Sequence, residues 1–154
     1  MNHYYKCLYF LRDVLQGAPL INTVKQGTDQ IESSKMDIFP LGYINIISAK
    51  TPEACSYFTF DIDVVDIRNV SKVRSTDKFR GNDNEIDNLN TCHAILNYFV
   101  TQLQLERNDD DIEVESISDF TPLLVQKTKA LDGWRCTVEL RIPNNIMVVG
   151  CGNE

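Results

Sequence analysis

The sequence has little of what membrane-bound and catalytic classes require. No stretch approaches the ~18 consecutive apolar residues of a membrane span, and the opening MNHYYKCLYFLRD breaks its apolar residues with Lys6, Arg12 and Asp13. Neither a membrane span nor a signal peptide is expected, and the chain reads as intracellular. The five cysteines are odd in number, lie far apart and include no CxxC pair. A disulfide framework, a zinc site and a redox couple are therefore not expected. Histidine occurs only as His3 and His93, and neither a glycine-rich phosphate loop nor a GxSxG serine signature is present. Positive charge is also short: the formal net charge is -7, the reverse of the basic footprint that grips phosphates. Dedicated nucleic-acid binding is disfavoured, although like charge suits a wall that surrounds DNA without holding it.

What the chain does have is enough apolar material for one core. With 154 residues and 43% hydrophobic content, two independent domains would each be too small, so residues 1–154 read as a single domain. From about His3 to Gln16, Cys7, Leu8, Leu11, Val14 and Leu15 fall at helical spacing, and Gly17 and Pro19 supply a stop. Leu20 to Gln26, rich in β-branched residues, predicts a short strand, and 28–36 a polar loop. Tyr43 to Ala49 and Ser56 to Ile67 predict two strands joined by Thr51-Pro52-Glu53 as an antiparallel hairpin. In the second, Phe58, Phe60, Ile62 and Val64 alternate with Tyr57, Thr59, Asp61 and Asp63, giving one apolar and one largely solvated face.

Residues 69–82 concentrate Lys72, Arg74, Lys78 and Arg80 and read as an exposed loop. Asn82 with Glu85 resembles a capping box, and Ile86, Leu89, His93, Leu96, Val100 and Leu103 then predict a long amphipathic helix from about Asp83 to Leu105. The acidic run 109–111 reads as a solvated turn. Ile112 to Phe120 alternates weakly, with Ile112, Val114 and Phe120 on one face. LLVQKTKAL after Pro122 predicts a strand entering a tight turn at Asp132-Gly133. Trp134, Cys136, Val138, Leu140 and Ile142 then alternate with polar residues until Pro143. The fold class is α+β: a mostly antiparallel sheet packed by an N-terminal helix and one long central helix. A C-terminal segment, 144–154, follows and holds the apolar patch Ile146, Met147, Val148 and Val149.

The sharpest chemical candidate is the pair Asp61 and Asp63. Two apart on a strand, their carboxylates share a face, as in sites that hold Mg²⁺. The same pattern marks any solvated sheet face, and neither a lysine at nuclease spacing nor a phosphate loop accompanies it. His93, on the helix stripe, reads as a partly buried structural residue rather than a base. Cys92 beside it has no usable partner, because adjacent helical residues diverge. Asp83, Glu85 and Asp87 lack the glycine and closing glutamate of a calcium loop and fit a helix start better. No catalytic residue, cofactor or metal is assigned, and no enzymatic activity is expected. Trp134 is expected to be largely buried with Cys136, Val138 and Leu140.

The order of these segments resembles the tail-terminator or tail-completion proteins at the head-to-tail junction, or neck, of tailed bacteriophages. YKCLYFLRDVL corresponds to the first helix, YINIISA and YFTFDIDVVDIRN to the hairpin, IDNLNTCHAILNYFVTQL to the long helix and GWRCTVELRIPNN to the closing strand. The likeness covers most of the chain as pattern, with no diagnostic short motif. It implies a structural subunit of a hexameric or dodecameric ring in the virion, assembled in host cytoplasm. Portal and neighbouring neck or tail proteins would be its partners, and DNA would pass through the lumen unread. Lys72, Arg74, Lys78 and Arg80, which match no standard feature of that family, then serve as a docking arm. Ile146, Met147, Val148 and Val149 either complete the chain's own sheet or add to a neighbour's. Two alternatives stand beside this reading: a small metal-dependent nuclease using Asp61 and Asp63, and a non-viral binding or adaptor domain.

Overall fold

The computed structural model describes residues 2–27, 38–69, 76–105, 110–126 and 130–144. Its elements run α1 (His3–Gln16), β1 (Thr23–Gln26), β2 (Leu41–Lys50), β3 (Cys55–Ile67), α2 (Glu85–Leu105), β4 (Glu113–Ile117), β5 (Thr121–Gln126) and β6 (Ala130–Pro143). The six strands make one sheet in the order β1-β2-β3-β6-β4, with β5 also on β6. Since β3 takes one side of β6 from Leu131 to Pro143, β4 and β5 share the other, at opposite ends. Every pairing is antiparallel except β1 with β2. The fold is thus α+β with a mostly antiparallel sheet and two helices, as the patterning implied. No helix among the described residues is long and apolar enough to cross a membrane.

Both helices cover one face of the sheet. In α1, Cys7, Leu11, Val14 and Leu15 are buried, and Asn2 caps the helix by accepting from the Tyr4 amide at 3.3 Å. They meet Phe60, Ile62 and Val64 of β3 and Cys136, Val138, Leu140 and Ile142 of β6, with Ile95, Leu96 and Phe99 of α2 closing the core. Trp134 packs against this cluster with most of its surface covered, in line with the burial expected, and its indole Nε1 donates to the Leu89 carbonyl at 2.8 Å.

Several local expectations are corrected. The buried stripe of α2 is Asn88, Cys92, Ile95, Leu96, Phe99 and Leu103, turned from the one expected, and His93 is exposed while Ile86 keeps 48% of its surface. The helix is apolar on more than one side, so spacing alone leaves the rotation open, and packing against β3 and β6 chooses the face with Phe99 and Ile95. The capping box does not form: Asp83 has φ 53° and the Glu85 amide bonds the Asn82 backbone carbonyl at 3.0 Å. Asn84 stands at the helix start instead, and its side chain is drawn to the end of β3, donating to the Ile67 carbonyl at 3.1 Å.

Asp132-Gly133 is not a turn but lies inside β6. Gly133 is required there by close approach, since a Cβ would sit 1.8 Å from the Val64 carbonyl oxygen. The alternation in 112–120 is weak because the β4–β6 register shifts between Val114 and Ser116. This irregularity lets both Val114 and Ile117 pack on the core, with Phe120 also against it. The far face of β3 is not uniformly solvated. Val65, Leu41, Tyr43 and Leu131 form a second buried cluster there, with Phe39, Ile67, Leu123 and Val125 against it. The expected loop at 28–36 lies outside the described residues.

Candidate functional site

Cross-strand register decides what Asp61 and Asp63 can do. Opposite them on β6 stand Thr137 and Arg135. The Arg135 guanidinium donates to both oxygens of Asp63, at 2.6 and 2.9 Å, and lies 3.8 Å from Asp61. Thr137 Oγ1 donates to Asp61 at 2.8 Å. Asp63 is 1% exposed, and burial pushes its carboxyl up from the ordinary value while the Arg135 bonds pull it down. Arg135 is raised by its hydrogen bond to Asp63. Burial is the larger influence on Asp63, while the bidentate bonds from Arg135 hold the two side chains together. A cation already sits between the carboxylates, supplied by the protein itself.

A second polar cluster lies between the start of α2 and the sheet. Asp132, 2% exposed, accepts from Arg68 through Nε at 3.1 Å and through Nη2, and from Asn88 Nδ2 at 3.2 Å. Arg68 also pairs with Glu85 at 3.3 Å, and Asn88 donates to the Ile67 carbonyl at 2.9 Å. The bonds are turned inward and lock α2 to the ends of β3 and β6. Asp66 beside them is raised by burial. Sequence reading missed this cluster, since its members come from three separated segments. Among the described residues, no three His, Cys, Asp or Glu side chains converge as metal ligands.

His93 packs edge-on to Phe120 and Trp134, with ring centroids 5.6 and 5.7 Å away. Cys7, Cys92 and Cys136 are fully buried, and burial pushes each thiol up to about 12. All three behave as small apolar side chains.

Of the residues expected to form an interface, Lys78 and Arg80 are exposed, flanking Phe79, which keeps 80% of its surface. Arg80 Nε donates to the Asp77 carbonyl at 3.3 Å. Lys72, Arg74, Ile146, Met147, Val148 and Val149 lie outside the described residues.

The features that sequence reading did not find are the two edges of the sheet. Beyond β1 no further strand is paired among the described residues, and the same holds beyond β4. Each edge is backed by a groove against a helix. One runs between α1 and β1, walled by Tyr5, Leu8, Tyr9, Arg12, Val24 and Lys25. The other follows β4 beside the end of α2, from Leu103 and Gln104 to Ile117. Open grooves along strand edges suit an extended chain better than an enclosed small molecule. No protein-family model matches the chain, and comparison with curated proteins gives no match.

Proposed function

We propose that this chain is a structural assembly subunit that joins copies of itself into a ring, of the kind found at the head-to-tail junction of tailed bacteriophages. The observation that carries the assembly reading is the pair of groove-backed edges of one sheet, beyond which no further strand is paired among the described residues. A molecule with two different edges forms heterologous contacts, and these close into rings when the rotation between neighbours allows. The neck assignment draws on the order of helix, hairpin, long helix and closing strand. The negative charge suits a bore through which DNA slides, and a ring multiplies it. Exposed Lys78 and Arg80 would steer the ring toward an acidic portal or tail neighbour.

The nuclease alternative has weaker support, because using Asp61 and Asp63 for Mg²⁺ requires Arg135 to leave both its bonds. A binding or adaptor domain would share the fold without the ring. Native mass spectrometry and negative-stain microscopy of the concentrated protein separate the readings. A closed species of six or twelve subunits is expected, and a chain that stays monomeric at every concentration overturns the ring.

A further inference from the structure

An exposed aromatic side chain stands before the start of α2 and a groove lies at its end. Phe79 keeps 80% of its surface, and exposed Lys78 and Arg80 flank it. Among the described residues neither cation forms an ion pair, and Arg80 Nε donates to the Asp77 backbone carbonyl at 3.3 Å. The base from which these residues project is tied together. Asn84 accepts from the Asn69 amide at 2.7 Å and donates to the Ile67 carbonyl at 3.1 Å, and Asn88 donates to the same carbonyl at 2.9 Å. The connection from β3 to α2 therefore leaves and returns at one point. Gly81 rests on α2 beside it, since a Cβ there would lie 2.7 Å from Ile86 Cδ1. A knob held at its base loses less freedom on docking than a free segment does.

At the other end of α2, the groove beside β4 has a volume of about 540 Å³, more than a phenylalanine side chain fills. Buried Leu103 and Ile112 form its floor, and exposed Gln104 and Ser116 stand on its walls. Leu105, 69% exposed, ends the helix beside it. Carboxylates are in excess at the rim. Glu113 and Glu115 share the one guanidinium of Arg141, and exposed Asp111 forms no ion pair among the described residues. A helix of 21 residues is about 30 Å long, so the knob and the groove of one molecule cannot meet.

We propose that Lys78-Phe79-Arg80 of one copy docks in the groove beside β4 of the next, with Phe79 over Leu103 and Ile112 and the two cations against Asp111, Glu113 and Glu115. The occupant of the groove is a second copy of this chain, because an apolar floor under a carboxylate rim calls for an apolar side chain between cations, and the chain itself exposes that combination. Unpaired charges that meet across the contact set its orientation and association rate, and an aromatic anchor beside an arginine supplies the binding energy. An acidic neck neighbour then competes for the same two cations. The inference rests on the ring-subunit reading: used head to tail, each copy offers one knob and one groove, and the chain of contacts closes when the rotation allows.

The test uses the full-length chain at concentrations where it self-associates. A carbodiimide, which joins an amine to a carboxylate in contact with it, is expected to link Lys78 to Asp111, Glu113 or Glu115. In a mixture of isotope-labelled and unlabelled chains, peptide mass spectrometry is expected to find such links between one labelled and one unlabelled copy. Phe79→Ser is expected to weaken self-association in sedimentation velocity about tenfold or more, and Lys78→Glu with Arg80→Glu by a similar factor, with circular dichroism unchanged. Added salt is expected to weaken the wild-type assembly. An assembly that forms without these links and is indifferent to these variants overturns the knob and groove contact and leaves the ring reading standing. The same links in a species that stops at two copies keep the contact and overturn the ring. A wild-type chain that never self-associates overturns both.

Discussion

Cys7, Cys92 and Cys136 sit at 0%, 0% and 1% exposure under the helices, and each thiol is held neutral by burial. Because the thiolate is the reactive form, native protein at pH 8 is expected to leave all three unlabelled by iodoacetamide, while partly exposed Cys55 reacts. Peptide mass spectrometry reads the sites, and labelling of Cys92 in folded protein would show this core to be open. The same shift has a consequence for stability. An unfolded thiol ionises near 9.0 and these near 12, so above pH 9 the unfolded chain releases protons first. The contribution is full below pH 9 and declines as pH rises toward 12, lowering the urea midpoint at pH 10 relative to pH 8.

Element by element, α2 shows what packing adds to a pattern. Phe99 is fully buried whereas His93, on the stripe that spacing favours, is exposed. Phe99→Ala is expected to cost about 3–5 kcal/mol, and His93→Ala under about 1 kcal/mol, since it loses only ring-edge contacts with Phe120 and Trp134. Urea denaturation of the two variants decides the register, and equal costs would mean the helix is rotated. The β2–β3 turn offers a gain instead of a loss. Glu53 and Ala54 have φ 54° and 60°, and the Cys55 amide closes on the Pro52 carbonyl at 3.1 Å. This is the left-handed pair that Asn-Gly supplies in tight hairpins, occupied here by residues that adopt it at a cost. Ala54→Gly is expected to stabilise by about 1 kcal/mol. A lower melting temperature would show that the turn relaxes otherwise.

At the scale of the whole molecule, one sheet separates two apolar clusters, and β3 and β6 contribute alternate residues to both. Neither cluster can be lost without opening the same central pair of strands. Trp134 lies on the helix side of that pair. Its fluorescence and the far-ultraviolet circular dichroism are expected to report one coincident transition in urea. Two separated midpoints would mean that the clusters unfold as independent units.

Local periodicity determined the kind and approximate span of most elements. Phe58, Phe60, Ile62 and Val64 at period two made β3 a strand with a core face, and Cys7, Leu11, Val14 and Leu15 made α1 a helix, because both signals repeat within a few residues. The exposed Lys78 and Arg80 were legible from composition, because their segment concentrates charge and has little apolar content. What periodicity does not carry is pairing across long separations. Only the tertiary structure set Arg135 against Asp63 and Arg68 against Asp132, partners 72 and 64 positions apart, and so placed ion pairs on buried carboxylates where a solvated face and a hairpin turn were expected. The parallel placement of β1 beside β2, at one end of the sheet, was likewise decided by strand order. A residue's own neighbours fix which way it points, but only the assembled sheet fixes what it meets.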